Sequence, residues 1–129
     1  MRASFVRAAL VAGGVFYLLS GLGLLFAPEW FFENVGNYPP FNRHYAGDVG
    51  AFLLPLGIAL LWAARNPVEH RSLIAYAVAG SLLHAINHLY DDLAGRLPPG
   101  GWLLSSVGLV AFAAVLAAAY VMATRTETA

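Results

Sequence analysis

Two short runs of this chain concentrate the residue types that can do chemistry: Asn42-Arg43-His44-Tyr45-Ala46-Gly47-Asp48 and His84-Ala85-Ile86-Asn87-His88-Leu89-Tyr90-Asp91-Asp92. On a helix, His44 and Asp48 lie about 40° apart on one face, and His84, His88 and Asp91 share a face by the same rule. Asp92 points about 80–100° away from His84 and Asp91 and is the weaker candidate. Imidazole and carboxylate at such spacing suit a transition-metal site for zinc, copper or iron, with His44, Asp48, His84, His88 and Asp91 as ligands. They equally suit a haem with one axial histidine drawn from His44, His84 and His88. In the metal or haem case Asp48 and Asp91 would be the catalytic carboxylates, as ligands or as orienters of the histidines. A third chemistry is proton handling at a quinone or lipid pocket, where a His–Asp pair tunes the donor. Beside these stands a purely structural account, in which His–Asp hydrogen bonds lock two helices together and Asn42 and Asn87 cap or bridge them.

The elements that must position these residues are membrane spans. The chain has 129 residues, 60% of them hydrophobic and 11% charged, with a mean hydropathy of +0.67. A soluble domain is about one quarter charged, so this chain cannot cover its apolar surface in water and lipid must be part of its solvent. Four segments supply the roughly 20 apolar residues that a spanning helix needs. They run from about 5 to 26, 41 to 64, 72 to 92 and 102 to 123, within one domain of residues 1–129. The expected fold is an all-α, integral membrane four-helix bundle. Between the first two spans, Pro28 to Pro40 mixes Trp, Phe and Tyr with Glu29 and Glu33, the composition of a short segment lying along the headgroups. Leu97-Pro98-Pro99-Gly100-Gly101 makes the turn before the last span. The first span follows Arg2 and Arg7 but is too long and too uninterrupted for a cleaved signal, so it is read as retained.

Arginine placement sets the orientation. Arg2, Arg7, Arg65, Arg71 and Arg125 fall on one side, Arg43 and Arg96 on the other, which puts both termini in the cytoplasm. The second and third spans then carry their ionisable residues in the same, outer leaflet. If those spans pack antiparallel, the register that sets His44 level with Asp91 sets Asp48 level with His88 to within about one residue, or 1.5 Å. Ionisable groups in lipid are expensive and face one another or a wet cavity, so the two faces are expected to meet inside the bundle.

Other residues have plainer readings. His70, between Glu69 and Arg71, reads as solvated, and Glu29 and Glu33 as a solvated face. Tyr17 lies near mid-membrane with a hydroxyl that needs a partner. Pro55 removes a backbone bond inside the second span and should bend it. Glycines throughout the spans point to close helix approach. The chain has no Cys, which excludes thiolate sites and disulfides. No phosphate loop, nucleophile elbow or H-E-x-x-H is present, and a formal net charge of zero offers no nucleic-acid surface.

Gly21 to Pro28, Pro40-Phe41-Asn42-Arg43-His44-Tyr45-Ala46-Gly47-Asp48-Val49-Gly50 and His84-Ala85-Ile86-Asn87-His88-Leu89-Tyr90-Asp91 together resemble small four-helix bacterial membrane proteins described as DoxX-like, common in actinobacteria. The resemblance implies a four-helix bundle in a bacterial inner membrane and no defined activity. Some DoxX-like proteins are linked to quinone or thiosulfate redox work, an analogy of fold rather than of site. The functional expectation is a metal- or haem-dependent redox or isomerase-type enzyme. Its rivals are a non-catalytic accessory subunit of a membrane complex and a small transporter or channel component. The expected partners are membrane lipid, a hydrophobic small molecule or quinone, and further copies or a larger membrane complex.

Overall fold

A computed structural model describes residues 1–36, 39–96 and 102–124, the side chains of 102–105 excepted. The described residues form five helices and no strand. They are α1 (Arg2–Phe26), α2 (Pro28–Asn34), α3 (Arg43–Ala63), α4 (Arg71–Leu93) and α5 (Trp102–Thr124). Four of these, α1, α3, α4 and the Ser106–Thr124 part of α5, are long and apolar enough to cross a membrane. Even α3, with 21 residues, is about 32 Å long at 1.5 Å per residue, against about 30 Å of hydrocarbon. Large apolar side chains such as Phe52 (75% exposed) and Leu83 (68%) point outward, where lipid rather than water is their favourable neighbour. The protein is an all-helical, multi-pass membrane bundle, as composition required. The turn expected over Leu97–Gly101, together with Asn37, Tyr38 and Arg125, lies outside the described residues.

Local sequence explains the ends. Pro28 occupies the first turn of α2, where its missing N–H is no loss and its fixed φ suits a helix start. The side chain of Asn42 caps α3 by accepting from the backbone N–H groups of His44 (3.0 Å) and Tyr45 (3.2 Å), satisfying two of the four donors a helix start leaves open. At the other end of α3, the Arg7 Nε–H of α1 donates to the Ala64 carbonyl at 3.2 Å, a cation placed where the helix dipole favours one.

That bond is one rung of a seam. A Cβ on Gly14 would lie 3.0 Å from the Gly57 carbonyl oxygen, and one on Gly57 would lie 2.7 Å from the Gly14 oxygen. A Cβ on Gly50 would lie 3.0 Å from the Gly21 oxygen, and one on Gly21 would lie 2.6 Å from the Leu54 nitrogen. Arg7, Gly14 and Gly21 therefore stand against Ala64, Gly57 and Gly50, each helix contributing a residue every seventh position. A repeat of seven holds one face toward an antiparallel partner. Glycine lets the two backbones touch, and close packing of this kind is one of the forces that associate helices in lipid. The α1–α3 pair is the most extensive in the bundle, followed by α4–α5 and α1–α5, while α3 and α4 meet over far less of their length.

The densest packing lies toward the end that carries the N-terminus. Leu10, Leu60, Ile74 and Leu116, one from each long helix, are fully buried there. Toward the α2 end the helices enclose space instead.

Candidate functional site

The seven-residue glycine seam fixes how α3 is rotated, and this decides the fate of its ionisable residues. Asp48 lies two residues from Gly50, about 200° round the helix, and His44 six residues away, about 240°. With Gly50 and Gly57 buried against α1, both side chains must face outward. His44 Nε2 stands 3.5 Å from Asp48 Oδ2 on its own helix, with the two side chains 85% and 57% exposed. The expected meeting of these residues with α4 does not take place. Asp91 is engaged elsewhere as well: its Oδ1 accepts from Arg96 Nη1 at 3.3 Å, and the guanidinium sits 4.9 Å above the Tyr90 ring. Sequence spacing identified which residues share a helix face; it did not identify which neighbour that face meets.

α4 turns differently. Its buried stripe is Ile74, Ala77, Ser81 and Ala85, and His88 and Asp92 continue the same three-and-four spacing. His84 and His88 lie within about 60° of Ser81, by 100° per residue. Their rings approach edge to face, with centroids 4.7 Å apart, and both line a cavity of about 570 Å³. That volume is within the roughly 300–1,000 Å³ of small-molecule sites.

The cavity is built from all four long helices. At its floor, Phe16 and Tyr17 of α1 and Phe112 of α5 form an aromatic cluster with centroid separations of 5.0–5.6 Å. The Tyr17 hydroxyl lies 2.5 Å from Ser81 Oγ, and Ser81 gives its own proton to the Ala77 carbonyl at 2.7 Å. Tyr17 is therefore the donor to Ser81, since a hydroxyl has one proton to give. This is the mid-membrane partner that sequence could not name. Ser20 and His84 each follow that bond by three residues on parallel helices, so they share a depth in the cavity wall. Leu24, Val49, Leu53 and Leu109 supply apolar wall, and Phe31, Val35 and Gly36, at the far end of α2, form its roof. The weakest side is the α3–α4 seam, and His84 is itself exposed.

Several residues that spacing or composition singled out lie away from this cavity. Glu29 and Glu33 are exposed and line neither it nor the smaller cavity beneath α2. His70, expected to be simply solvated, accepts the Trp62 indole N–H at Nε2, 2.9 Å away. Asp92, set aside because it points away from His84 and Asp91, has a buried Oδ1 with no hydrogen-bond partner among the described residues, as does the buried Ser106 Oγ; the Asp92 carboxylate lies near His88, one turn before it. The stripe Ser81, Ala85, His88, Asp92 was the signal for its inward position. Among the described residues no three His, Asp or Glu side chains gather into a group that can hold a metal ion. The residues read as a ligand set do not converge: His44 and Asp48 pair on the outer face of α3, while His84 and His88 adjoin on α4 and Asp91, next to His88 on that helix, accepts from Arg96.

No family model, curated protein or solved structure matches this chain.

Proposed function

We propose that this protein sits in a bacterial plasma membrane with both termini in the cytoplasm and binds a small, largely apolar ring compound bearing carbonyl oxygens, of which a quinone is the type. The observation that carries this reading is the pair His84 and His88 on the wall of an otherwise apolar cavity. Imidazole N–H groups can donate to a carbonyl oxygen, and imidazole can pass a proton through its two ring nitrogens, which carbonyl compounds that interconvert with hydroxyl forms require. The aromatic floor of Phe16, Tyr17 and Phe112 offers ring faces for stacking. Ser20, level with His84, adds a hydroxyl to the wall. A ligand dissolved in the bilayer can reach the cavity from the side, through the sparse α3–α4 seam, without crossing water.

The test is calorimetric titration of detergent-purified protein with 2-methyl-1,4-naphthoquinone. One charge-free hydrogen bond to a buried carbonyl contributes about 0.5–1.5 kcal/mol, or two- to twelvefold in affinity. His84→Ala and His88→Ala should each weaken binding by that factor or more, and Asp48→Asn should leave it unchanged. Binding indifferent to both histidines would overturn the reading. An absorption spectrum and elemental assay of the same sample would reveal bound haem or metal. A Soret band or stoichiometric metal that disappears in His84→Ala would replace a carbonyl ligand with a coordinated one.

The exposed His44–Asp48 pair favours one additional reading, an accessory role in which a membrane partner covers this face of α3. Aspartate-to-cysteine exchange at Asp48 followed by cross-linking in native membranes would then yield a discrete adduct, and its absence would remove that role.

A further inference from the structure

A second, smaller cavity of about 280 Å³ lies beneath α2, and its boundary with the histidine cavity is unusual. Leu24, Phe31, Gly36 and Val49 line both spaces, so the two adjoin. Phe31 carries the largest of the shared side chains. A Cβ at Gly23 would lie 2.7 Å from Phe31 Cδ2, and one at Gly36 would lie 3.5 Å from Cε1. The first is a collision; the second is ordinary contact. Phe31 therefore fills a slot that the absence of a side chain at Gly23 leaves open. The end of α2 holds it there, since the Phe31 carbonyl accepts from both Val35 N (2.8 Å) and Gly36 N (3.0 Å).

The two spaces differ in chemistry. The inner one has His84, His88 and Ser20 on its wall. The outer one is lined chiefly by apolar residues, Pro28, Phe32 and Phe41 among them, with Phe32 and Phe41 rings 5.1 Å apart. We infer that they form one bipartite site, in which the carbonyl-bearing ring occupies the histidine cavity and an apolar alkyl or isoprenoid tail occupies the cleft beneath α2, with Phe31 at the junction setting which ligands fit both. The inference rests on the functional reading above and adds the tail to it. Continuity of the two cavities through shared lining residues is what commits the cleft to the ligand's own tail rather than to an unrelated molecule.

The experiment compares 2-methyl-1,4-naphthoquinone with derivatives carrying 3-alkyl tails of increasing length, titrated into wild-type protein and into Ala46→Phe. Ala46 lines the cleft and not the inner cavity, so a phenyl ring there obstructs the tail alone. Ala46→Leu is the smaller substitute should the phenylalanine variant fail to fold. Transfer of a tail into detergent is common to all variants, so the ratio of affinities isolates the cleft. A tail that fits the cleft should tighten wild-type binding relative to the tailless probe through packing contacts, since detergent is already as apolar as the cleft. In Ala46→Phe the gain from a tail should fall at least tenfold while the tailless probe binds within twofold of wild type. A tail that strengthens binding equally in wild type and both Ala46 variants would overturn the bipartite site and leave the histidine reading standing. So would a co-purified lipid, seen by native mass spectrometry, that Ala46→Phe displaces without any change in tailed-probe affinity. A tailless probe that fails to bind, or binds without regard to His84 and His88, would overturn both.

Discussion

Tyr17 and Ser81 join α1 to α4 by a single hydrogen bond in which the donor is defined, because Ser81 spends its own proton on the Ala77 carbonyl. The two ends of this bond are therefore unequal under mutation. Tyr17→Phe removes the donor and leaves Ser81 still satisfied by Ala77, so its cost should be about 1 kcal/mol or less, the usual net value of such a bond in a membrane. Ser81→Ala leaves a tyrosine hydroxyl buried (Tyr17 is 3% exposed) with its acceptor gone, and should cost about 1–3 kcal/mol. Chemical unfolding in mixed micelles checks the order, and Tyr17→Phe combined with Ser81→Ala should be no worse than Ser81→Ala alone. Equal losses for the two single variants would mean that the hydroxyl finds another partner in the cavity. The histidines present the same lesson at residue scale: what distinguishes His84 and His88 from His44 is not their type but the rotation of the helix that carries them.

That rotation is decided at the scale of the element. α3 turns its glycines to α1 because backbone contact along a seven-residue repeat is available there and nowhere else on α3, and its ionisable residues then have only the outer face left. Gly14, Gly21, Gly50 and Gly57 should accordingly tolerate no side chain. Gly21→Ala and Gly57→Ala place a methyl group 2.5–2.6 Å from backbone nitrogen and should destabilise the bundle by about 1–3 kcal/mol, the usual range for overpacking. Gly80 has nothing within 4 Å of its absent Cβ, so Gly80→Ala should be neutral or stabilising by up to about 1 kcal/mol, as expected for glycine replaced inside a helix. Thermal unfolding in one detergent separates the two classes. A Gly57→Ala protein as stable as Gly80→Ala would show that the seam is not close-packed. The heptad of glycines was visible in the sequence, as Gly14 and Gly21 on one span and Gly50 and Gly57 on the next. Taking glycines as general markers of tight packing, without pairing the two sevenfold repeats, concealed the fact that α3 was already committed to α1.

For the whole molecule, an apolar core packed toward the end that holds the N-terminus and a cavity toward the end that holds α2 divide the labour between stability and binding. The burial of Leu10, Leu60, Ile74 and Leu116 anchors all four long helices at one end, which leaves the other free to part around a ligand. The proposed topology has an independent test. Cysteine introduced at Ala3 or at Glu69 should react with an impermeant maleimide only after cells are opened, whereas cysteine at Glu33 should react in intact cells, stripped of any outer membrane. The starting chain has no cysteine, so each label reports one site. The reverse pattern would invert the protein and place the cavity in the cytoplasmic leaflet.

Sequence alone determined the solvent and the elements: an apolar fraction too large for water and four spans bounded by Pro, Asn and Arg. It also determined that His84 and His88 share a face, because helical geometry follows from spacing within one element. Only the tertiary structure decided which faces meet. Helix rotation about its own axis depends on contacts between elements, and two competing seams on α3, one of glycine and one of His and Asp, are both legible in the chain. Backbone contact with α1 prevailed, the His44–Asp48 pair turned outward, and the space lined by His84 and His88 was completed by α1, α2, α3 and α5, whose contributions no spacing within α4 could reveal.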